Sequence, residues 1–140
     1  MTTGDMSNGL QWVVYMGNTT KTSFASNTDW EAVGNLQQVY SGTVTNAGNN
    51  TWWEIVFNTP FIWDGVSNIV LAVDENQSGY GGTSYWRKSD LGANRAIYYR
   101  DDSNNPNPAS PPSANGRQGY VNNIQLVGNY PDSCSGTPAL

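Results

Sequence analysis

Punctuation constrains this chain more than any other feature. Short runs of β-branched and aromatic residues recur along it, separated by clusters of Asn, Gly, Ser and Pro. Apolar residues do not return at three-to-four spacing over any long window, so the pattern predicts no helix. It predicts strands at Leu10 to Met16, Leu36 to Val44, Thr51 to Phe57, Asn68 to Asp74, Thr83 to Trp86, Ala96 to Arg100 and Val121 to Val127. Turn residues lie between nearly all of them: Gly17-Asn18, Asn46 to Asn50, Asp64-Gly65 and Gly79 to Gly82. Many short strands at this spacing are the pattern of an all-β sandwich or barrel.

Alternation assigns faces within these strands, because successive strand side chains point to opposite sides. Leu10, Trp12, Val14 and Met16 form one apolar face of the first run. Trp53, Ile55 and Phe57 oppose Trp52, Glu54 and Val56, and the first set is the expected core face. Ile124 and Leu126 are expected to point inward, with Asn123 and Gln125 outward. Ile69, Leu71 and Val73 align, but Val70 and Ala72 opposite them are apolar too. Apolar residues on both faces predict a central strand covered on both sides.

With 140 residues the chain has the length of one domain able to bury a core. Charged residues make up 12%, about half the usual share. Neutral polarity replaces them, with 18 Asn and 15 Gly. Six Trp and eight Tyr argue against disorder. Six basic residues against eleven acidic ones disfavour nucleic acid, which needs a positive footprint. No apolar run reaches the ~18 residues of a membrane helix. The chain contains no His, which removes His-based triads, His-ligated zinc and His proton shuttles. The single cysteine, Cys134, closes no internal disulfide; it is a free thiol or half of a bridge to sequence outside this chain. Low charge with abundant Asn, Thr and Gly suggests a secreted or cell-surface setting. Met1 to Asp5 has neither the basic nor the apolar stretch of a signal peptide, so a secreted parent would be longer than this chain.

Asp101 to Gly119 reads DDSNNPNPASPPSANGRQG and holds four of the seven prolines. A structureless stretch of this length inside a domain is unusual and often functional. Residues 131–140 read as a linker to a following domain, leaving residues 1–130 as the folded module.

Several stretches together resemble a known family. They are Trp12 to Phe24 (WVVYMGNTTKTSF), Thr28-Asp29-Trp30, Val39 to Gly42, Phe57 to Trp63 (FNTPFIW), Asn68 to Val73, Arg95 to Tyr99, the NPNP run from Asn105, Gly116-Arg117 and Asn122 to Gln125. In this order they resemble a β-sandwich module of large secreted multidomain proteins of Bacteroidetes, found beside fibronectin-III-like and cleaved-adhesin-like domains. The resemblance covers Leu10 to Val127, and the stretch Cys134 to Pro138 looks like the lead into a following domain. It implies adhesion or carbohydrate binding and carries no catalytic motif. Family members have more strand-forming sequence before the equivalent of Gly4-Asp5. Either the module lacks its first strands or a partner segment completes it, leaving an unpaired edge expected beside Leu10 to Met16.

Candidate site residues follow from chemistry. Carbohydrate-binding sandwiches stack Trp and Tyr rings on sugar faces, while Asp, Asn, Gln and Arg take the hydroxyls; small-ligand sites generally combine an apolar platform with few polar groups. Trp12, Trp53 and Trp63 are expected in the core. The predicted ligand-binding set is Trp52, Tyr80, Tyr85, Trp86, Arg87 and Asp74, with the Gly-rich loop after Asp74 free to approach a ligand closely. The same rings could instead pack over sheet edges. Asp74, Glu75, Asp101 and Asp102 end strands and offer hard oxygen ligands for Ca²⁺, although adjacent acids also cap or solvate turns. Glu54 and Glu75 are the only strand-associated glutamates a glycosidase could use, and nothing in their spacing makes them converge. Asn49-Asn50-Thr51 and Asn76-Gln77-Ser78 match a glycosylation triplet, a weak pattern.

The expectation is therefore an all-β antiparallel sandwich of jelly-roll type, a non-catalytic module that recognises carbohydrate or another surface ligand. The alternative is an assembly module of a surface protein or fibre, completed by a neighbouring protein chain's strand.

Overall fold

The computed structural model describes residues 2–4, 10–77 and 84–128. Tyr80, Cys134 and the predicted linker lie outside these residues. The described strands are β1 (Thr2–Gly4), β2 (Leu10–Thr19), β3 (Gln37–Val44), β4 (Asn68–Glu75), β5 (Ser84–Trp86), β6 (Lys88–Asp90), β7 (Ala96–Tyr98), β8 (Gly116–Gln118) and β9 (Tyr120–Asn122). A 3₁₀ turn, Val33–Asn35, precedes β3. The chain is all-β, and every strand pairing described is antiparallel. No helix among the described residues is long and apolar enough to cross a membrane.

One three-stranded sheet, in the order β3-β2-β4, forms the body of the fold; the other strands pair as β1-β5, β6-β9 and β7-β8. The alternation in β2 decides where the core sits. Val14 and Met16 are buried, and they meet Val39 of β3 in a small cluster against which Tyr40, Phe57 and Phe61 pack. Val39 enters this cluster through an irregular register. Val14 pairs with Tyr40 and Tyr15 with Gln38, so Val39 is an extra residue on β3. Such a bulge re-aims one side chain and twists the strand. The Val39 carbonyl accepts a backbone bond from Thr59 at 3.1 Å, and Asn58 Oδ1 accepts one from the Ser41 N–H at 2.8 Å. The segment after Phe57 thus runs along the outer side of β3.

Four sequence expectations change. β4 is an edge strand rather than a central one, and β2 is the central strand, flanked on both sides. The unpaired edge expected beside Leu10 to Met16 is therefore occupied by β3 and β4. Thr51 to Phe57 forms no ladder, although its alternation holds: Trp53, Ile55 and Phe57 are half-buried while Trp52, Glu54 and Val56 are exposed. Of the last predicted strand, Val121 to Val127, only Val121 and Asn122 are paired, within β9, and Ile124 and Leu126 are about half exposed rather than inward. The alternation held in Thr51 to Phe57 but not in Val121 to Val127, where residues 122–128 are all exposed. Pairing and cover depend on distant segments, which local alternation does not encode.

Tryptophans organise one end of the sheet. Trp86 stacks at a tilt against Trp12 with ring centroids 6.1 Å apart, and Trp53 meets Trp86 edge-on at 5.3 Å. Such pairs contribute about 0.5–1.5 kcal/mol each beyond area burial. Trp63, expected in the core, is exposed, and its indole N–H donates to the Ser67 carbonyl at 2.8 Å.

Candidate functional site

The described residues enclose a cleft of ≈ 1220 Å³ between the end of β4 and the proline-rich segment that follows β7. One wall is β4 and its continuation, from Ala72 to Gln77. The opposite wall runs from Ile97 through Pro108. Trp12, Tyr15, Trp30 and Trp86 contribute rings to the lining, and Tyr98 and Tyr99 add two more.

The proline-rich wall is built from its sequence upward. β7 and β8 pair with Tyr98 opposite Gly116, so residues 99–115 form one long excursion from this two-stranded ribbon. Its opening turn is organised by Asp101. That carboxylate accepts bonds from the Ser103 N–H at 2.8 Å, the Asn104 N–H at 3.1 Å, the Asn104 side-chain amide at 3.1 Å and the Tyr99 hydroxyl at 3.0 Å. These donors stabilise the charged form, the Ser103 N–H foremost, and hold the Asp101 pKa down to about 2. The same bond to Asp101 raises the Tyr99 pKa above its ordinary value. Further along, the Asn105 side-chain amide donates to Asn76 Oδ1 at 2.6 Å and ties the two walls together.

The far end of the excursion is fixed to the 24–31 loop. The Trp30 indole donates to the Pro112 carbonyl at 2.9 Å, and the Ala114 N–H donates to the Asn27 carbonyl at 2.8 Å. Arg117 completes this join, donating to the Phe24 carbonyl at 2.8 Å and to Asn27 Oδ1 at 3.1 Å. Lys21, just before this loop, bonds Asp29 Oδ1 through Nζ at 2.8 Å and lies 3.8 Å from Glu31 Oε2. The hydrogen bond from Lys21 is the main reason the Asp29 pKa is lowered. Prolines limit the freedom of the excursion before it docks, which lowers the entropy cost of holding it there.

The cleft lining combines aromatic rings with amide and carboxylate side chains. Asn76, Gln77, Asn104 and Asn105 present amides to it. Tyr15 also lines it; burial first, and the Asp74 charge second, raise its pKa. Among the described residues no acceptor meets the buried Trp12 Nε1. The buried Trp53 Nε1 likewise meets none, and a buried N–H without a partner is costly.

The structure divides the residues predicted from sequence. Asp74 and Trp86 line the cleft, as do Glu75, Asp101 and Asp102, whereas Trp52, Tyr85 and Arg87 do not. Trp52 and Tyr85 are exposed elsewhere, at 50% and 64%. Trp86 belongs both to the cleft and to the tryptophan cluster, so it packs as well as lining the cleft. The four acids proposed for calcium are engaged in local contacts: Asp74 with Asn76, Glu75 with the Gln77 N–H, Asp101 in its own turn and Asp102 with Arg100. Among the described residues no three acidic, Cys or His side chains gather as a metal-binding group. Sequence reasoning placed the Asp101 to Gly119 loop, and with it Asn104 and Asn105, at the flank of the site, but did not single out Tyr98 and Tyr99. Their signal was present: an aromatic pair at a strand end entering an Asn- and Pro-rich excursion.

No protein family, curated protein or solved structure matches the chain.

Proposed function

We propose that this chain is a non-catalytic extracellular module that recognises carbohydrate in the cleft between β4 and the proline-rich excursion. One observation carries the reading: rings and amides from distant parts of the chain line a single cleft whose walls are tied by the Asn105–Asn76 bond. Rings take the apolar faces of a sugar, and amides and carboxylates take its hydroxyls. The resemblance to secreted Bacteroidetes modules supports the same setting, a secreted or surface protein of several domains. In this reading the β3-β2-β4 sheet is one layer of a jelly-roll sandwich. The extended segments bearing Trp53, Ile55, Phe57, Ile124 and Leu126 stand in for the second layer.

A glycan-array screen of the purified chain, with and without calcium, tests the proposal. Tyr98 is the informative position, because it is 41% exposed and lies outside the tryptophan cluster. Saturable binding that falls at least tenfold in Tyr98→Ala, with the circular dichroism unchanged, is the expected result. Absence of binding to any glycan, or full retention of binding in Tyr98→Ala, would overturn the assignment of this cleft.

A further inference from the structure

We infer that the outer edge of β4 is an acceptor site for an added β-strand, supplied by an extended polypeptide with a basic N-terminal end. This surface is separate from the sugar reading of the cleft, although the two meet at Val73 to Glu75.

The hydrogen-bond phase of β4 identifies the open groups. The Asn76 N–H donates to the Gln11 carbonyl at 2.7 Å, which makes Gln11 and Asn76 a hydrogen-bonded pair. Antiparallel ladders alternate hydrogen-bonded and non-hydrogen-bonded pairs. Following the register, Val13–Asp74, Tyr15–Ala72 and Gly17–Val70 are hydrogen-bonded pairs. The backbone groups of Asp74, Ala72 and Val70 are therefore turned to β2. Those of Ile69, Leu71, Val73 and Glu75 are turned outward. Among the described residues no backbone group bonds to that outer edge.

The side chains of the same residues supply an apolar seat. Ile69, Leu71 and Val73 are 36–46% exposed although they lie in the main sheet. Ile69 and Leu71 line an apolar groove of ≈ 220 Å³ with Met16, Ile124 and Leu126. An unpaired edge beside an apolar groove is the arrangement used in strand addition: main-chain bonds provide affinity and alternate side chains fill the pockets.

Charge selects the occupant. Where β4 enters the cleft, Asp74, Glu75, Asp101 and Asp102 line it, and among the described residues the one cation in the lining is Arg100, which pairs with Asp102. An antiparallel strand places its N-terminus at that end of β4, so a basic N-terminal end is favoured. A second copy of this chain is disfavoured, because each copy carries a net charge of −5.

The test uses the whole chain and a synthetic peptide alternating Val and Thr, with two Lys at its N-terminus. Amide hydrogen exchange on the free protein comes first. The Ile69, Leu71, Val73 and Glu75 amides should exchange at least tenfold faster than those of Val70, Ala72 and Asp74. Protection of the first set in the free chain would show the edge already covered and overturn the inference. Saturating peptide should then slow the outward set at least tenfold. N-methylation of one alternate set of peptide amides should weaken binding at least tenfold more than methylation of the other set. Leu71→Lys should weaken binding while leaving the Val70, Ala72 and Asp74 amides protected. Absence of peptide binding, equal effects of the two methylation patterns, or concentration-dependent dimerisation that protects the same amides would each refute it.

Discussion

Met16 and Leu71 stand opposite each other on β2 and β4, yet they should differ sharply in what they contribute to stability. Met16 is 1% exposed and belongs to the central cluster; Leu71 is 36% exposed and faces the apolar groove. Truncating a buried Met to Ala costs about 2–5 kcal/mol, part of it from the cavity left behind. Met16 already borders the groove, so the new void opens to solvent instead of being sealed, and about 3 kcal/mol is expected for Met16→Ala. Full burial of a Leu side chain contributes about 1.5–3 kcal/mol, and Leu71 realises about two-thirds of that with no sealed cavity to add. Alanine keeps the β-carbon and its share of that burial, so Leu71→Ala should cost about 1–1.5 kcal/mol. The two variants should differ by about 2 kcal/mol, a factor of about thirty in the folding equilibrium constant. Urea denaturation followed by circular dichroism measures both, and the m-value should stay constant. Equal losses in the two variants would show that the groove is closed in solution, and the reasoning about an uncovered β4 would fail.

Other predictions concern the excursion and the sheet. Arg117→Ala removes two charge-assisted bonds to the 24–31 loop and should cost about 2 kcal/mol, read as a fall in the thermal midpoint; no change would mean that the join is not formed in solution. The Asp101 pKa lies near 2, below the ordinary carboxylate value, so its contribution is present above pH ~4 and lost as pH falls towards 2. Over that window the Ser103 and Asn104 amides should lose protection, and Asp101→Asn should remove this pH dependence. Gly17→Ala should destabilise the fold by about 1–3 kcal/mol, because a Cβ there would sit 2.6 Å from Leu36 Cδ2 and 3.1 Å from the Asn35 carbonyl. An unchanged urea midpoint would show that Leu36 moves aside freely.

The alternation in Leu10 to Met16 was legible in the sequence because a strand with one buried face carries its own pattern. The faces of Thr51 to Phe57 were legible for the same reason. β4 was misplaced because two apolar faces read as cover on both sides, whereas Ile69, Leu71 and Val73 remain partly in solvent. Residue character records what a strand can bury, not what arrives to bury it. Asp101 to Gly119 was recognised as a special segment from its prolines, but its last residues form β8 and its contacts with Asn27, Trp30 and Asn76 link positions far apart in sequence. The division of the aromatics was equally hidden: Trp52 and Trp86 look alike in sequence, and only long-range packing brings Trp86 beside Trp12 and Trp53.

The six tryptophans provide the most direct measurement of the central claim, because each gives a separate indole N–H resonance. Trp12, Trp30 and Trp86 line the cleft, while Trp52, Trp53 and Trp63 do not. Titrating the isotope-labelled chain with a soluble oligosaccharide chosen from the array should move the Trp12, Trp30 and Trp86 signals. The Asn104 and Asn105 side-chain amides should shift with them. Shifts confined to Trp52 and Trp63, with the cleft signals unmoved, would contradict the account.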